Sequence, residues 1–205
     1  MSRYLGPRLR IIRRLGILPG FTTKITKRNF TPGQHGPSKA NKKITTSDYS
    51  LRLQEKQKLR FNYGISEKQL YGYIKKARKI KGATGTILLQ LLEMRLENII
   101  YRLGLAPTIS SARQFVNHGH VQVNSKNVNI PSFQCKPNDF IQVKNKLSSV
   151  NLAKNNLNIK NFINLPSHII FNQDELKAKI NFIILRNEVN ININELLVVE
   201  FYSRK

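Results

Sequence analysis

The chain has 205 residues, with 35 Lys and Arg against 11 Asp and Glu, and a formal net charge of +24. Self-repulsion on this scale destabilises a compact monomer unless a polyanion neutralises it, so nucleic acid is the expected partner. A membrane surface is disfavoured, because no run of about 18 apolar residues is present to span a bilayer. The hydrophobic share of 40% is enough for modest packed cores and argues against a disordered chain.

Cysteine and histidine are too sparse to support a metal site. Cys135 is the single cysteine, which excludes an intrachain disulfide and a multi-cysteine zinc cluster. His118 and His120 alone do not make a metal site, so we expect no metal and no cofactor. The N-terminus lacks the apolar core of a signal peptide, although its first 28 residues superficially resemble a transit peptide.

Positive charge is concentrated in the first part of the chain. Residues 1–89 hold 21 Lys and Arg against three acids, whereas residues 90–205 hold 14 against eight. The breakers Gly6-Pro7 and Pro19-Gly20 leave room for one short helix at most in the first 20 residues. Residues 31–39, TPGQHGPSK, form a Gly- and Pro-rich loop that either brings backbone N–H groups close to an anion or is an ordinary surface loop.

Two helices are predicted next. Ser47 or Asp48 caps a helix that runs to about Tyr63, with Gly64 at its end, and Ser66 starts a second helix that stops by Gly82. One face of the second helix packs, with Leu70, Ile74 and Ala77 at helical spacing. The other face carries five cations without a balancing acid, and because like charges on one face repel, phosphate contact is favoured over a merely solvated face: Lys75, Lys76, Arg78, Lys79 and Lys81.

The second part begins with apolar residues at helical spacing and then switches to a period of two. Leu88, Leu92, Leu96, Ile99 and Leu103 predict one core-facing helix ended by Gly104, and Ser110 then caps a short helix closed by Gly119. A β-hairpin is predicted from the alternating Val121 and Val123, the turn NSKN, and the alternating Val128 and Ile130. A third strand is predicted at residues 140–143, after the turn KPND. Polar side chains outside this apolar pattern are available for phosphate and sugar: Arg95, Arg102, Arg113, His118, His120 and Lys126.

Several segments resemble a known family. The pairs Arg95-Leu96 and Ala112-Arg113, with GHV at 119–121 and VN at 123–124, resemble the RNA-binding module named after ribosomal protein S4. Some RNA-modifying enzymes share that module, so it does not settle function alone. However, PGQHG at 32–36, EKQKLRFNYGISEKQL at 55–70, KARKIKG at 76–82 and INELLVVEFYSR at 193–204 are similar to the ribosomal S4 family itself. The start MSRYLGPRLRIIRRLG resembles the plastid-encoded branch, which implies a mature N-terminus rather than a transit peptide.

This resemblance implies an α+β fold. It implies a basic N-terminal arm at 1–44 and a helical domain at 45–89, joined by a C-terminal strand and tail at 190–205. The RNA-binding module of two helices on a small antiparallel sheet would then be inserted at 90–189, together with a variable segment. It further implies a structural constituent of the small subunit of the plastid ribosome that binds the 5′ region of its rRNA at a multi-helix junction. Such a protein nucleates assembly, contributes to translational accuracy, and contacts protein S5 and other ribosomal proteins.

The candidate rRNA-binding residues combine the cationic pattern with the family motifs. They are Arg3, Arg8, Arg10, Arg13, Arg14, Gln34, His35, Lys42, Lys43, Arg52, Lys56, Lys58, Arg60, Lys75, Lys76, Arg78, Lys79, Lys81, Arg95, Arg113, His118, His120, Asn124 and Lys126. Within that set, Arg95 and Arg113 are expected to form one RNA-facing patch.

Two rival functions are considered. An RNA-modifying enzyme such as a pseudouridine synthase needs a catalytic domain with a positioned Asp, yet residues 1–89 supply only Asp48, Glu55 and Glu67 as acids, set among cations. A free RNA chaperone would carry little beyond the module. The sequence therefore predicts a protein that is not an enzyme.

Overall fold

The computed structural model describes residues 4–28, 30–37, 47–159, 165–189 and 191–203. The chain divides into two compact units, which are called unit 1 (Met1–Gly85 with Ile191–Lys205) and unit 2 (Thr86–Asn190). The predicted α+β class is confirmed, because both helices and an antiparallel sheet are present. Within the described ranges, no helix is both long and apolar enough to cross a membrane.

The helices in chain order are α1 (Arg8–Leu15), α2 (Asp48–Asn62), α3 (Glu67–Lys79), α4 (Thr84–Glu93), α5 (Leu96–Arg102), α6 (Ile109–Asn117), α7 (Leu147–Ile159) and α8 (Glu195–Ser203). The strands are β1 (Val121–Val123), β2 (Lys126–Asn127), β3 (Phe140–Val143), β4 (Ile169–Asn172) and β5 (Lys177–Ile180). A short 3₁₀ turn covers Arg186–Glu188.

Helices α2 and α3 begin where their capping residues predict. The Ser47 hydroxyl accepts a hydrogen bond from the Ser50 N–H at 3.3 Å. A full capping box opens α3, since Ser66 Oγ accepts from the Gln69 N–H at 3.3 Å while Gln69 Oε1 accepts from the Ser66 N–H at 3.1 Å. Between the two helices, Gly64 adopts φ +60°, a left-handed conformation that glycine tolerates best. Both predicted helices are therefore confirmed.

The C-terminal segment is a helix, and the predicted C-terminal strand was wrong. Val198, Phe201 and Tyr202 are the buried residues of α8, and their spacing of three and four residues is helical. This face packs against α2 in unit 1. The apolar run LLVV fits a buried strand as well as a buried helix, and the neighbouring α2 surface decides in favour of the helix.

The first described residues of unit 1 pack on the end of α2. Ile12, Leu15, Leu18 and Phe21 form a buried cluster, with Phe61 packed against it. Inside this cluster the Gly20 N–H donates to a buried Asn62 Oδ1 at 3.0 Å. The short α1 confirms that residues 4–20 hold one brief helix, which is anchored by this cluster.

The single helix predicted from Leu88 to Leu103 is interrupted, and this prediction was wrong. Arg95 adopts an extended conformation (φ −73°, ψ 138°) between α4 and α5. The Leu96 N–H donates to the Phe133 carbonyl at 2.9 Å, and the Glu97 N–H donates to the Pro131 carbonyl at 3.1 Å. These bonds replace two helical partners, so a distant loop breaks the helix without changing the apolar periodicity.

Unit 2 contains a five-stranded antiparallel sheet in the order β2-β1-β3-β5-β4. Asn124 and Ser125, both with positive φ, form the two-residue turn of the β1–β2 hairpin, in which Val123 pairs with Lys126. The return strand β2 is only two residues long, so the predicted inward alternation through Ile130 was wrong, and Ile130 is 56% exposed. Strand β3 is confirmed at residues 140–143.

The core of unit 2 lies between α5, α6 and one face of the sheet. It includes Ile99, Phe115, Val121, Ile141 and Ile180, all buried. Helix α6 is capped by Thr108, whose hydroxyl accepts from the Ser111 N–H at 3.2 Å, rather than by the predicted Ser110. Strands β4 and β5 and helix α7 extend this core in a segment whose structure was not predicted from the sequence.

Candidate RNA interface

The C-terminal half of α3 presents a dense group of exposed cations. We define the α3 basic cluster as Lys75, Lys76, Arg78, Lys79 and Lys81, all of which are exposed. In the part of the chain that the structure describes, none of the five forms an ion pair. The predicted apolar face of the same helix is fully buried, so the cations cannot turn inward.

Two physical effects make this cluster tolerable in the isolated chain. Cations in the last turn interact favourably with the negative end of the helix dipole. In addition, the Lys75 ammonium lies 4.6 Å from the Tyr71 ring centroid, and the Lys76 ammonium lies 5.9 Å from that of Tyr73. Neither effect neutralises the charge, so the cluster remains an exposed cationic surface.

The cations of α2 have a different environment, because carboxylates of unit 1 pair with them. Arg52 Nε lies 2.7 Å from a Glu200 carboxylate oxygen on α8. Lys56 Nζ, on a side chain only 7% exposed, lies 3.0 Å from Glu67. Lys58 pairs with Glu55 one turn earlier, and Arg60 donates to Gln57 Oε1 at 3.3 Å. These four predicted contacts are therefore engaged within the protein.

The Glu67 carboxylate is central to that packing. Burial pushes its pKa upward, but hydrogen bonds from the Tyr202 hydroxyl and the Lys56 ammonium outweigh burial and lower the pKa below its ordinary value. Burial raises the pKa of Tyr202, and the hydrogen bond to Glu67 adds to this effect. The hydrogen bonds among Lys56, Glu67 and Tyr202 thus connect α2, α3 and α8. Lys56 therefore contributes to the stability of unit 1.

The N-terminal arginines divide into two kinds. Arg13 donates to the Phe30 and Thr31 carbonyls at 2.9 and 3.2 Å, and Arg8 donates to the Phe21 carbonyl at 3.2 Å. Arg10 and Arg14 are exposed. The loop side chains Gln34 and His35 are also exposed, while Arg3, Lys42 and Lys43 lie outside the described residues.

Arg95 and Arg113 do not form the expected RNA-facing patch. Arg95 is only 1% exposed, and its Nε and Nη2 both contact Glu97, whose side chain is also 1% exposed. Arg113 Nε donates to the other Glu97 oxygen at 2.7 Å, and its Nη2 lies 3.0 Å from the first. The two cations are joined through one buried carboxylate. The sequence prediction for Arg95 was wrong because the loop at 131–135 covers this site.

A second buried carboxylate repeats the arrangement. Glu93 is 1% exposed and accepts from Arg102 Nη2 at 2.6 Å and from Arg102 Nε at 3.1 Å. The Asn98 side chain donates to the same residue. Three arginines outside the predicted apolar pattern, Arg95, Arg102 and Arg113, are therefore structural partners of two glutamates that the sequence analysis did not single out.

The remaining polar candidates of unit 2 lie near the ends of β1. His118 and Lys126 are exposed. His120 is half-buried, with Nδ1 2.8 Å from Ser149 Oγ. Burial lowers the pKa of His120, and the neighbouring His118, Lys146 and Lys144 lower it further. Lys144 and Lys146 are thus close to His120, and the Lys144 N–H donates to the His120 carbonyl at 2.8 Å. These two lysines were not among the predicted site residues, because they follow the last predicted strand.

The Asn124 side chain stabilises the β1–β2 hairpin through two hydrogen bonds. Its side-chain nitrogen donates to Asp139 Oδ1 at 2.9 Å, and its side-chain oxygen accepts from the Phe140 N–H at 2.9 Å. Asp139 also accepts from the Lys136 N–H at 2.7 Å. These bonds explain why Asn fits the position, since it tolerates a positive φ and fastens the turn to β3.

Comparison with known families gives two adjoining matches. The model of the ribosomal protein S4/S9 N-terminal domain matches residues 3–93, and that of the S4 domain matches residues 94–141. Together with the basic composition, these matches define the class as a structural, RNA-binding ribosomal protein rather than an enzyme.

Relatives match along the whole length. The chain is 58% identical to small ribosomal subunit protein uS4c of Chlorokybus atmophyticus over 204 residues, covering 100% of this chain and 99% of the relative. It is 57% identical to uS4c of Cyanophora paradoxa and 55% identical to uS4 of Nostoc punctiforme, each over 205 residues and the full length of both chains. The chain belongs to the ribosomal protein S4 family, and the uS4c relatives confirm the predicted plastid type.

Proposed function

We propose that the protein acts as a structural component of the small ribosomal subunit by binding rRNA phosphates through the α3 basic cluster. The observation that carries this proposal is the set of five exposed cations that no described carboxylate neutralises. The cluster lies in the segment that matches the ribosomal N-terminal domain. Each cation that reaches a phosphate releases condensed counterions, so binding strengthens as the salt concentration falls.

Ion pairing within the protein distinguishes the cations available to RNA from those that stabilise the fold. The Arg52, Lys56 and Lys58 side chains already hold carboxylates, so moving them onto phosphate would leave Glu200, Glu67 or Glu55 unpaired. Cations without such partners bind RNA at lower cost. In unit 1 we therefore assign rRNA contact to the α3 basic cluster together with Arg10 and Arg14, and a packing role to the α2 cations.

We further propose that the rRNA target is the 5′ region of the small-subunit rRNA, at a junction of several helices, and that binding there nucleates assembly. Arg side chains that bridge phosphate oxygens suit such a target, because they fix the orientation of RNA helices. Protein S5 is the proposed neighbour, through which the chain contributes to translational accuracy. Support for a protein neighbour comes from Phe182, Ile183 and Leu185, which are 40%, 47% and 57% exposed on one short segment of unit 2.

A matched pair of double variants tests the rRNA proposal. Lys75→Gln with Lys79→Gln removes two charges from the α3 basic cluster, whereas Arg52→Gln with Lys58→Gln removes two paired charges from α2. Affinity for a 5′-region rRNA fragment is measured by filter binding across a salt series. Each lost phosphate contact reduces the slope of log affinity against log salt by about one.

We expect a slope reduced by roughly two for the α3 variant and an unchanged slope for the α2 variant, with circular dichroism confirming that both fold. Equal slopes for the two variants would contradict the assignment to α3. Equal affinity for 5′- and 3′-region fragments would contradict the proposed target. For the protein neighbour, Leu185→Asp should weaken co-purification with S5 and leave rRNA affinity unchanged.

A further inference from the structure

One face of the five-stranded sheet in unit 2, called the outer face here, carries the side chains that alternate with the buried core residues. Cross-strand pairing places Asn127, Gln122, Gln142, Lys177 and Asn172 in one row across this face. These side chains point away from Val121, Ile141 and Ala178, which alternate with them and are buried. The row is therefore polar from one edge of the sheet to the other.

Three of these side chains form a hydrogen-bonded amide chain. Gln142 Nε2 donates to Gln122 Oε1 at 2.7 Å, and Gln122 Nε2 donates to Asn127 Oδ1 at 3.0 Å. The Gln142 side-chain oxygen therefore remains as an acceptor at one end of the chain, and the Asn127 side-chain nitrogen remains as a donor at the other end. Among the described residues neither end has a hydrogen-bond partner, so both are available to a ligand.

A cavity of about 370 Å³ opens beside this amide chain. Gln122, Gln142, Asn145, Glu175 and Lys177 supply its polar lining, in which Lys177 and Glu175 form an ion pair at 2.9 Å. The volume falls in the range that holds small ligands of nucleotide size, roughly 300–1,000 Å³. Amides that offer both donors and acceptors match the edge of a nucleobase, whereas a phosphate alone would need only donors.

A second row, two residues along β3, carries an aromatic platform. Phe140 is 54% exposed, although burial of a ring this large is normally favourable. It pairs across the sheet with Lys179, whose ammonium lies 5.6 Å from the ring centroid. Exposed rings next to cations on a sheet are the arrangement by which proteins stack unpaired bases and hold their phosphates.

We propose that this outer sheet face binds an unpaired nucleotide of RNA. The base stacks on Phe140, Lys179 moves from the ring to the phosphate, and the amide chain from Gln142 to Asn127 contacts the edge of the neighbouring base. A protein partner is less well matched, because Lys179 separates the exposed Phe140 and Ile170 side chains and the amide chain lies beside them. The inference rests on the proposed RNA-binding function but concerns a different surface from the α3 basic cluster.

The absence of tryptophan from the chain allows a site-specific test. Phe140→Trp introduces a single tryptophan on the proposed platform, and Phe182→Trp introduces one at an exposed aromatic position of unit 2 outside the sheet face, so tryptophan emission reports on each position separately from the seven tyrosines. Each full-length variant is titrated with an unstructured single-stranded RNA hexamer at about 0.15 M salt. Polarisation of a labelled copy of the hexamer measures total binding independently.

Stacking predicts that the hexamer quenches the fluorescence of the Phe140→Trp variant in a saturable manner and leaves the Phe182→Trp variant unchanged. Phe140→Leu, which keeps an apolar side chain without the ring, should lower hexamer affinity roughly five- to hundredfold. Bound hexamer without quenching at position 140, or equal quenching at both positions, would overturn the proposal. The proposal would also be overturned if the hexamer left the fluorescence of the Phe140→Trp variant unchanged while an added ribosomal protein, without RNA, quenched it. None of these outcomes depends on the salt slopes that test the α3 basic cluster.

Discussion

The buried carboxylate of Glu97 gives the sharpest prediction about stability. It accepts hydrogen bonds from Arg95 at 2.9 Å and from Arg113 at 2.7 and 3.0 Å. Glu97→Gln keeps the shape but removes the carboxylate charge that the Arg95 and Arg113 guanidinium groups contact, and the Arg95 side chain, 1% exposed, remains buried. Breaking a buried ion pair from one side costs about 3–5 kcal/mol. For a unit of about a hundred residues, at about 4 °C per kcal/mol, that loss corresponds to a melting temperature roughly 12–20 °C lower.

Calorimetry and urea denaturation of the purified chain measure this loss. Glu175→Gln is the matched control, because it removes an equivalent charge from the Lys177–Glu175 pair, which is 2.9 Å apart with both side chains 56% exposed. An exposed pair of this kind contributes less than about 1 kcal/mol. If Glu97→Gln and Glu175→Gln lowered the unfolding free energy of unit 2 equally, the structural role assigned to the Glu97 arginine pair would be refuted.

Three further predictions concern pH, backbone entropy and thiol reactivity. Burial lowers the pKa of His168 in spite of Glu188, so the unfolded chain binds its proton first. Stability should be retained above about pH 6.5 and fall as the pH drops below it, and His168→Gln should flatten that fall in urea titrations at pH 5 and 7. Gly72 lies inside α3 with nothing within 4 Å of an added Cβ, so Gly72→Ala should raise the unfolding free energy by about 0.5–1 kcal/mol. An unfolding free energy below that of the unsubstituted chain would contradict the open helical position of Gly72. Burial raises the pKa of Cys135, which is 3% exposed, so a thiol reagent should modify it only on unfolding; rapid labelling of the native chain would contradict this.

Local signals in the sequence were sufficient for helices α2 and α3 of unit 1. Ser47 and Ser66 are capping residues next to clear helical periodicity, and Gly64 supplies the left-handed break between the two helices. The α3 basic cluster could also be predicted, because its five cations lie at or just beyond the C-terminal end of a helix whose opposite face is apolar. Such features depend on neighbours within a few residues, which the sequence contains directly.

Other features depend on residues far apart in the chain and could not be read in this way. The helix break at Arg95 depends on carbonyls of Pro131 and Phe133, which lie more than 30 positions away. For the same reason, the role of Arg95 was misassigned, since charge in the sequence indicates exposure unless a buried carboxylate such as Glu97 is available. The C-terminal helix was mistaken for a strand because its short apolar run fits either structure until the surface of α2 is known.

The central claim is that this chain is a cationic structural component of the small ribosomal subunit. Sedimentation of plastid extract through a sucrose gradient at low salt tests it most directly, with immunodetection of the chain in each fraction. The chain should co-sediment with the small subunit and should be released as salt weakens its phosphate contacts. Recovery of the chain only in the slowly sedimenting fractions at low salt, away from small subunits, would contradict the claim.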